Sequence, residues 1–298
     1  MADKFILHML TPLKHMSPFD VNMALDAGFD AVAPYVNVTL DEVLPLVQDA
    51  IFSRPPKIGV KTGVFIAGRD AVLALNMLKA AKQAQVPPFE LSTFADPAGS
   101  FTTAAAMVAC VERLLKDRKQ RGLKGLKIAI FGATGVVGFS SAVIAALEGA
   151  EVTLVGYDGV GRVGKAAAEI KARFQVNVAV ADGADELKKA EILETAEAVF
   201  CAAKAGLRII SRTQLGEAKR LVVAADVNAV PPSGVEGLDA MANGVEIAPS
   251  GALGIGPLTI GNIKYRTESG LFKRMIAAAK PVHLDFRDAF ALARELNA

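Results

Sequence analysis

The sequence predicts an α/β protein of two domains, each built on a parallel sheet. Three observations carry this. Short β-branched runs alternate with helix-length segments along most of the chain, the pattern of repeated βα units. The composition is 52% hydrophobic but only 6% aromatic, which suits helices packed closely on strands buried on both faces. A basic connector, "KDRKQRGLKGLK" at 116–127, then separates two alternating series. A chain of 298 residues is long enough for two ordinary domains with real cores.

The first series opens with the strand "KFILHML". "SPFDVNMALDAG" follows as a helix, with Ser17 as cap, Pro18 at the first helical position and Asp20 three after the cap. "DAVAPYV" is a second strand, and "TLDEVLPLVQDAIF" a helix with Thr39 and Glu42 spaced as a capping box. "GVFIAG", "DAVLALNMLKAAKQA" and "PFELSTFAD" continue as strand, helix and strand, before a long helix at 101–118. The second series has strands "LKIAIF", "EVTLVG", "VNVAVA", "AEAVFCAA", "LVVAAD" and "GVEIAP" over roughly 125–250, with helices between most of them. Two more helices, "ESGLFKRMIAAAK" and "DFRDAFALARELN", end the chain. The expected division is a smaller domain at 1–120, joined by a C-terminal helix at about 281–298, and a larger one at 121–280.

Several function classes lose support. The net charge is +2, from 33 basic and 31 acidic residues, and the basic connector lacks the aromatic side chains that stack on nucleic acid. Cys110 and Cys201, 91 residues apart, form no disulfide framework or thiol-metal spacing, which favours a reducing compartment. His8, His15 and His283 make no metal pattern, so no metal is expected. The N-terminus does not look like a signal peptide. Residues 128–147 are 20 without a charge, enough to span a bilayer. Glycine and serine interrupt that run, however, and a strand, loop and helix are expected instead.

That loop is "GATGVVG", with Gly132, Gly135 and Gly138 three apart and Thr134, Val136 and Val137 between them. A dinucleotide pyrophosphate needs backbone N–H groups within close reach and the positive end of a helix. Gly132 suits the tight turn, Gly135 admits the pyrophosphate, and Gly138 lets helix and strand approach. This implies a Rossmann-type unit in the second domain; a purely structural turn is the competing reading. At the end of the next strand, in "GYDGVGR", Asp158 follows Tyr157 and can accept both ribose hydroxyls of NAD. Arg162 and Lys165 stand near enough to compensate for a 2′-phosphate, so NAD is expected with NADP tolerated. An Asp-Gly turn is the structural alternative for Asp158.

Alcohol oxidation requires a proton acceptor, and none of Tyr35, Tyr157 and Tyr265 begins a Tyr-x-x-x-Lys pattern. Attention therefore turns to substrates that lose hydride to give a stable cation. Polar candidates at strand ends and helix starts of the first domain are Asp20, Tyr35, Asn37, Asp96, Ser100, Thr102 and Thr103. Capping is the alternative for Asp20, Thr102 and Thr103. In the second domain Asp226 and Asn228 end a strand, "PSGALGIGPL" with Gly254 is expected as a glycine-rich loop near the nicotinamide, and Lys264 is the best nearby cation.

The stretches "YVNVTLDEV", "DPAGSFTTAAA", "GLKIAIFGATGVVGFSSAVIAALEGAEVTLVGYD", "ADVNAVPPSGVEGLDA" and "GALGIGPL" together resemble the NAD(P)-dependent methylenetetrahydromethanopterin dehydrogenases of methylotrophic bacteria. The resemblance extends over nearly the whole chain. NADP-restricted relatives carry an arginine directly after the glycine that closes the second strand, where this chain has Tyr157–Asp158, so the resemblance implies use of both NAD and NADP. It also implies oxidation of 5,10-methylenetetrahydromethanopterin to the methenyl form, with hydride passing to C4 of the nicotinamide. The product cation is stabilised by two nitrogens, so no general base is needed. A cytoplasmic homo-oligomer serving formaldehyde oxidation is implied as well. Asp20, Asp96, Thr102 and Thr103 become pterin-side candidates on this resemblance, whereas "TIGNIKY" around Lys264 departs from the lysine-rich pattern of the NADP-restricted relatives. A methylenetetrahydrofolate dehydrogenase and a non-catalytic dinucleotide sensor are the competing functions.

Overall fold

In the computed structural model, which describes residues 3–298, the two alternating series fold around two separate sheets. The first compact unit runs to Thr102 and adds Tyr265–Leu292; the second takes Thr103–Lys264 and Ala293–Ala298. The chain thus passes between units within helices, whereas the sequence places the divisions at 120 and 280.

The first unit contains β1 (Ile6–Leu10), α1 (Pro18–Ala27), β2 (Ala31–Tyr35), α2 (Val43–Phe52), the short α3 (Pro56–Gly59), β3 (Thr62–Ile66), α4 (Ala71–Gln83) and β4 (Ser92–Ala95). A 3₁₀ turn, Pro97–Gly99, then leads into α5 (Ser100–Lys119). The caps explain most helix starts. Ser17 Oγ accepts the Asp20 N–H at 3.4 Å, and Asp70 Oδ1 accepts the Leu73 N–H at 2.7 Å. The expected Thr39–Glu42 box is only half made. Glu42 Oε2 accepts the Thr39 N–H at 2.7 Å, but the Thr39 hydroxyl also points to that carboxylate at 2.8 Å. With the hydroxyl engaged there, α2 begins only at Val43, with Glu42 as its cap residue.

The second unit contains β5 (Lys127–Phe131), α6 (Val136–Leu147), β6 (Glu151–Gly156), α7 (Gly161–Phe174), β7 (Ala179–Asp182), α8 (Glu186–Thr195), β8 (Ala198–Cys201), α9 (Arg212–Glu217), β9 (Val223–Asp226), β10 (Asn243–Ile247) and β11 (Ala252–Ile255). Next come α10 (Pro257–Ala277), β12 (His283–Leu284) and α11 (Phe286–Leu296). The uncharged run at 128–147 divides as expected into β5, a loop and the 12-residue α6. Among the described residues one helical stretch, Pro97–Lys119, is long and apolar enough to cross a membrane by length and composition, and 78% of its apolar window is buried in the fold.

The first sheet has the order β12-β4-β3-β1-β2 with every pairing parallel. Strand β12 is two residues long, too short to show as a β period, and it completes the edge through His283↔Thr93 and Leu284↔Phe94. Phe272 from α10 meets Phe65 and Phe94 with ring centroids 5.3 and 5.2 Å away, seating the second half of α10 on this sheet. Gly63 lets that helix lie close, because a Cβ there would come 2.7 Å from Met275 Cε.

The second sheet has the order β10-β11-β9-β8-β5-β6-β7, all parallel except the β10–β11 pair. Strand order reverses between β5 and β8, the switch point at which doubly wound sheets take ligands. Two expectations are overturned here: "ALGI" is β11, not a loop, and α10 starts at Pro257, eleven residues before the expected Glu268.

An ion-pair cluster ties the chain end into the second unit. Arg294 bonds Glu112 in a fork, Nε–Oε2 at 2.6 Å and Nη2–Oε1 at 2.8 Å, and reaches Glu148 at 2.5 Å. Burial pushes the Glu112 pKa up, but hydrogen bonds from Arg294 and Lys116 outweigh it and hold the group below its ordinary value. The Glu112 side chain is 8% exposed and that of Arg294 35%, so breaking the pair leaves the buried Glu112 carboxylate with Lys116 alone, Nζ–Oε1 at 3.1 Å. Arg294→Met should cost about 1–3 kcal/mol, read as a lower urea midpoint, with Glu112→Gln/Arg294→Met recovering part of the loss.

Candidate functional site

The glycine loop sits at the switch point of the second sheet, and each glycine has a distinct physical reason. Gly132 leaves β5 with φ +78, and a Cβ there would lie 2.3 Å from the Ala202 carbonyl oxygen beyond β8. Gly138, in the first turn of α6, would place a Cβ 2.4 Å from the Gly132 carbonyl oxygen. Both are required by backbone contacts inside the protein. Gly135 differs: its φ is −75, and the nearest atom to an added Cβ is the Gly132 carbonyl oxygen at 3.3 Å. It is exposed, as is Thr134, while Val136 and Val137 are half-buried. Gly135 is also the cap residue of α6, and no side chain caps that end. The open N–H groups and the positive helix end form a cradle that fits a pyrophosphate, and a side chain at Gly135 would fill it.

The end of β6 builds the adjoining wall. A Cβ on Gly156 would lie 2.0 Å from the Gly159 carbonyl oxygen, and Gly159 has φ +95, so the chain turns sharply into α7. Tyr157 is 71% exposed. Arg162 donates from Nη1 to the Tyr157 hydroxyl at 2.8 Å and from Nη2 to Thr134 Oγ1 at 3.4 Å. The same Nη1 lies 3.5 Å from Asp158 Oδ2, and the guanidinium carbon is 5.4 Å from the Tyr157 ring centroid. Thr134, from the glycine loop, therefore joins Tyr157, Asp158 and Arg162 in one exposed polar group.

Three expected cofactor-contact residues are engaged inside the fold. Asp226 is fully buried, and its carboxylate accepts the N–H groups of Asn228, Gly234 and Val235 at 2.8, 2.7 and 3.2 Å. Burial pushes its pKa up in spite of these bonds. Asn228 accepts from Val230 N–H at 2.9 Å and from Gly206 N–H at 3.3 Å, and donates to the Pro232 carbonyl at 2.9 Å. Both side chains shape the loops after β8 and β9. Gly254 lies in β11, where a Cβ would meet Leu238 Cδ1 at 2.4 Å and Ile247 Cγ1 at 3.0 Å; its missing side chain makes room for core packing. Burial also pushes up the thiol pKa of Cys201 and raises that of Cys110 to about 12, so neither is a ready nucleophile.

In the first unit, Asp96 and Thr102 are engaged inside the fold in the same way. Asp96 Oδ1 accepts the Phe101 and Thr102 N–H groups at 2.8 and 3.2 Å, and the Thr102 hydroxyl lies 2.5 Å from Asp96 Oδ2. Both residues are wholly buried and hold the start of α5, the capping role weighed for Thr102. Ser100 and Thr103 are half-buried on the same helix. Asp20 is 1% exposed in the first turn of α1. Lys264 is half-buried within α10. Tyr35 ends β2, and Asn37 follows it, exposed and with φ 54.

His8 was not expected beside Tyr35. Its Nδ1 is 3.1 Å from the Tyr35 hydroxyl, and both line a cavity of about 220 Å³ under α2 with Leu10, Leu46 and Val64. Burial, with Arg54 nearby, lowers the His8 pKa and favours the neutral ring. The signal in sequence was the period of two in "KFILHML", which places His8 on one face with Ile6 and Leu10.

Fold and cradle together define the class: a two-unit α/β protein whose second unit is of the Rossmann type. The architecture is similar to that of quinate dehydrogenase from Corynebacterium glutamicum in complex with NAD, with a TM-score of 0.56 at 14% identity, over 98% of this chain and 99% of that one. The N-terminal family model for methylene-tetrahydromethanopterin dehydrogenase matches residues 18–98. The chain is 53% identical over 292 residues to the NAD(P)-dependent methylenetetrahydromethanopterin dehydrogenase of Methylorubrum extorquens, covering 98% of each. It is 34% identical over 280 residues to the bifunctional protein MdtA of the same organism, covering 94% of each. The chain belongs to the methylenetetrahydromethanopterin dehydrogenase family.

The glycines separate by experiment. Gly135→Val should leave the thermal midpoint within a few degrees while weakening dinucleotide binding about tenfold or more in calorimetry, because its side chain takes the pyrophosphate position. Gly138→Ala should instead destabilise the fold by about 1–3 kcal/mol, since helix and loop must separate. Equal dinucleotide affinity in the folded Gly135→Val variant would remove the cradle assignment.

Proposed function

We propose that this protein is an NAD(P)-dependent methylenetetrahydromethanopterin dehydrogenase, oxidising the 5,10-methylene substrate to the 5,10-methenyl product. The observation that carries the reading is the 53% identity over 98% of the chain to a relative of that name, joined to a cradle whose Gly135 position is open. When bound, the dinucleotide supplies the acceptor for the hydride and its electron pair. The chain's own residues bind and orient. The amino end of α6, with Thr134, Gly135, Val136 and Val137, faces the pyrophosphate, and Asp158 accepts the ribose hydroxyls.

On the pterin side, Tyr35, Asn37, Ser100 and Thr103 remain the contact candidates, with Asp20 and Lys264 as charged positioning groups. Loss of hydride from a carbon between two nitrogens leaves a cation that both nitrogens stabilise. No proton has to be removed, so positioning of the two reactants supplies the main catalytic effect. This agrees with the lack of a Tyr-x-x-x-Lys pattern. A cytoplasmic homo-oligomer serving formaldehyde oxidation completes the proposal, with no nucleic acid or membrane as partner.

A spectrophotometric assay crossing methylenetetrahydromethanopterin and methylenetetrahydrofolate with NAD⁺ and NADP⁺ tests it. Turnover of the methanopterin with both cofactors is expected. Preferential turnover of the folate would move the assignment to that substrate, and cofactor binding without turnover would make the protein a sensor. Within the active enzyme, Asp158→Ala should shift the ratio of kcat/KM values toward NADP⁺ by about tenfold, the worth of a hydrogen bond to a charged group. An unchanged ratio would take Asp158 out of the ribose site.

A further inference from the structure

We infer that Arg162 is the residue that reads a 2′-phosphate on the cofactor, held in place by Tyr157 and Thr134 and opposed by Asp158. The inference rests on the dinucleotide reading of the glycine loop and deepens it. Arg162 joins the glycine loop, the end of β6 and the first turn of α7. Its guanidinium bonds the Tyr157 hydroxyl at 2.8 Å and lies 5.4 Å from that ring's centroid, while the other arm meets Thr134 Oγ1 at 3.4 Å. These contacts engage only part of a guanidinium's donors, and a planar fork suits a phosphate in two-point contact.

The surroundings suit an added anion. The helix α7 has 14 residues, and its cap residue, Val160, offers no side-chain bond to the first turn. Around Gly159 and Gly161 an added Cβ would meet nothing within 4 Å. An anion there faces the positive end of α7 as well as Arg162. The opposing group is Asp158, 3.5 Å from Arg162 Nη1, with the two side chains 40% and 54% exposed. An ion pair this exposed contributes little, so Arg162 can exchange the carboxylate for a phosphate at small cost. With NAD, Asp158 accepts the two ribose hydroxyls and Arg162 stays with Tyr157. With NADP, Arg162 turns its remaining donors to the phosphate and offsets the repulsion from Asp158. Tyr157 is a positioning residue in this scheme, acting through the guanidinium.

Calorimetric titration of the full chain with NAD⁺ and with NADP⁺ tests the assignment, for the wild type and for Arg162→Gln, Arg162→Lys and Tyr157→Phe. Arg162→Gln should weaken NADP⁺ at least about tenfold more than NAD⁺, the worth of a charge-assisted contact. Arg162→Lys should restore part of the difference, having the charge without the fork. Tyr157→Phe should lower the preference about two- to fivefold, as the ring stays and the hydroxyl bond is lost. Equal losses for the two cofactors, or none, in Arg162→Gln would overturn the assignment while leaving the cradle intact. A wild type that binds neither cofactor would remove the cradle and the Arg162 role together.

Discussion

The close backbone contact between Gly132 and the chain leaving β8 is the constraint on which the second unit is organised. At that contact a methyl group would stand 2.3 Å from the Ala202 carbonyl oxygen. Because only a hydrogen fits, β5 and β8 can pair as neighbours on the side opposite β6, and the strand order reverses there. Gly138 extends the same constraint, holding the start of α6 against the Gly132 carbonyl. The cradle is thus a by-product of packing: the backbone is drawn tight at Gly132 and Gly138 and left open at Gly135 between them.

The carboxylates divide along a similar line. Asp96 follows β4 and Asp226 ends β9, and each is fully buried with oxygens engaged by N–H groups of the next loop or helix. A buried carboxylate must be satisfied in this way, since an unpaired one is too costly. These two residues are the struts of their loops. Asp158 also follows a strand but stays exposed, balanced only by a loose pair with Arg162, so its oxygens remain available for exchange. Exposure and slack bonding, more than residue type, separate the group suited to a ligand from the groups suited to building.

Family membership fits this division. The proposed hydride transfer, which leaves a stable cation, would make light demands on acid–base groups and heavy demands on positioning. The second unit carries a glycine-tightened cradle, and the first a parallel sheet with its own aromatic cluster. The Phe65, Phe94 and Phe272 cluster makes α10 part of the first unit although it begins in the second.

Most of the architecture was legible in the sequence, because β-branched runs and helix caps are local properties. The period of the strands, Ser17 with Pro18, and the three glycines between β5 and α6 announce their elements without help from distant residues. What sequence could not show depends on contacts made across the chain. The two-residue β12 exists only because β4 offers it an edge, and "GALGIG" reads as a loop until Leu238 and Ile247 are seen filling the space above Gly254. Asp96 and Asp226 look like ligand groups in sequence, since a carboxylate after a strand has the same letters whether it faces solvent or its own loop. By itself the sequence determined the elements, the glycine loop and the family resemblance. Tertiary structure alone decided which polar side chains are spent inside the fold, and it brought Arg162 to Tyr157, Asp158 and Thr134.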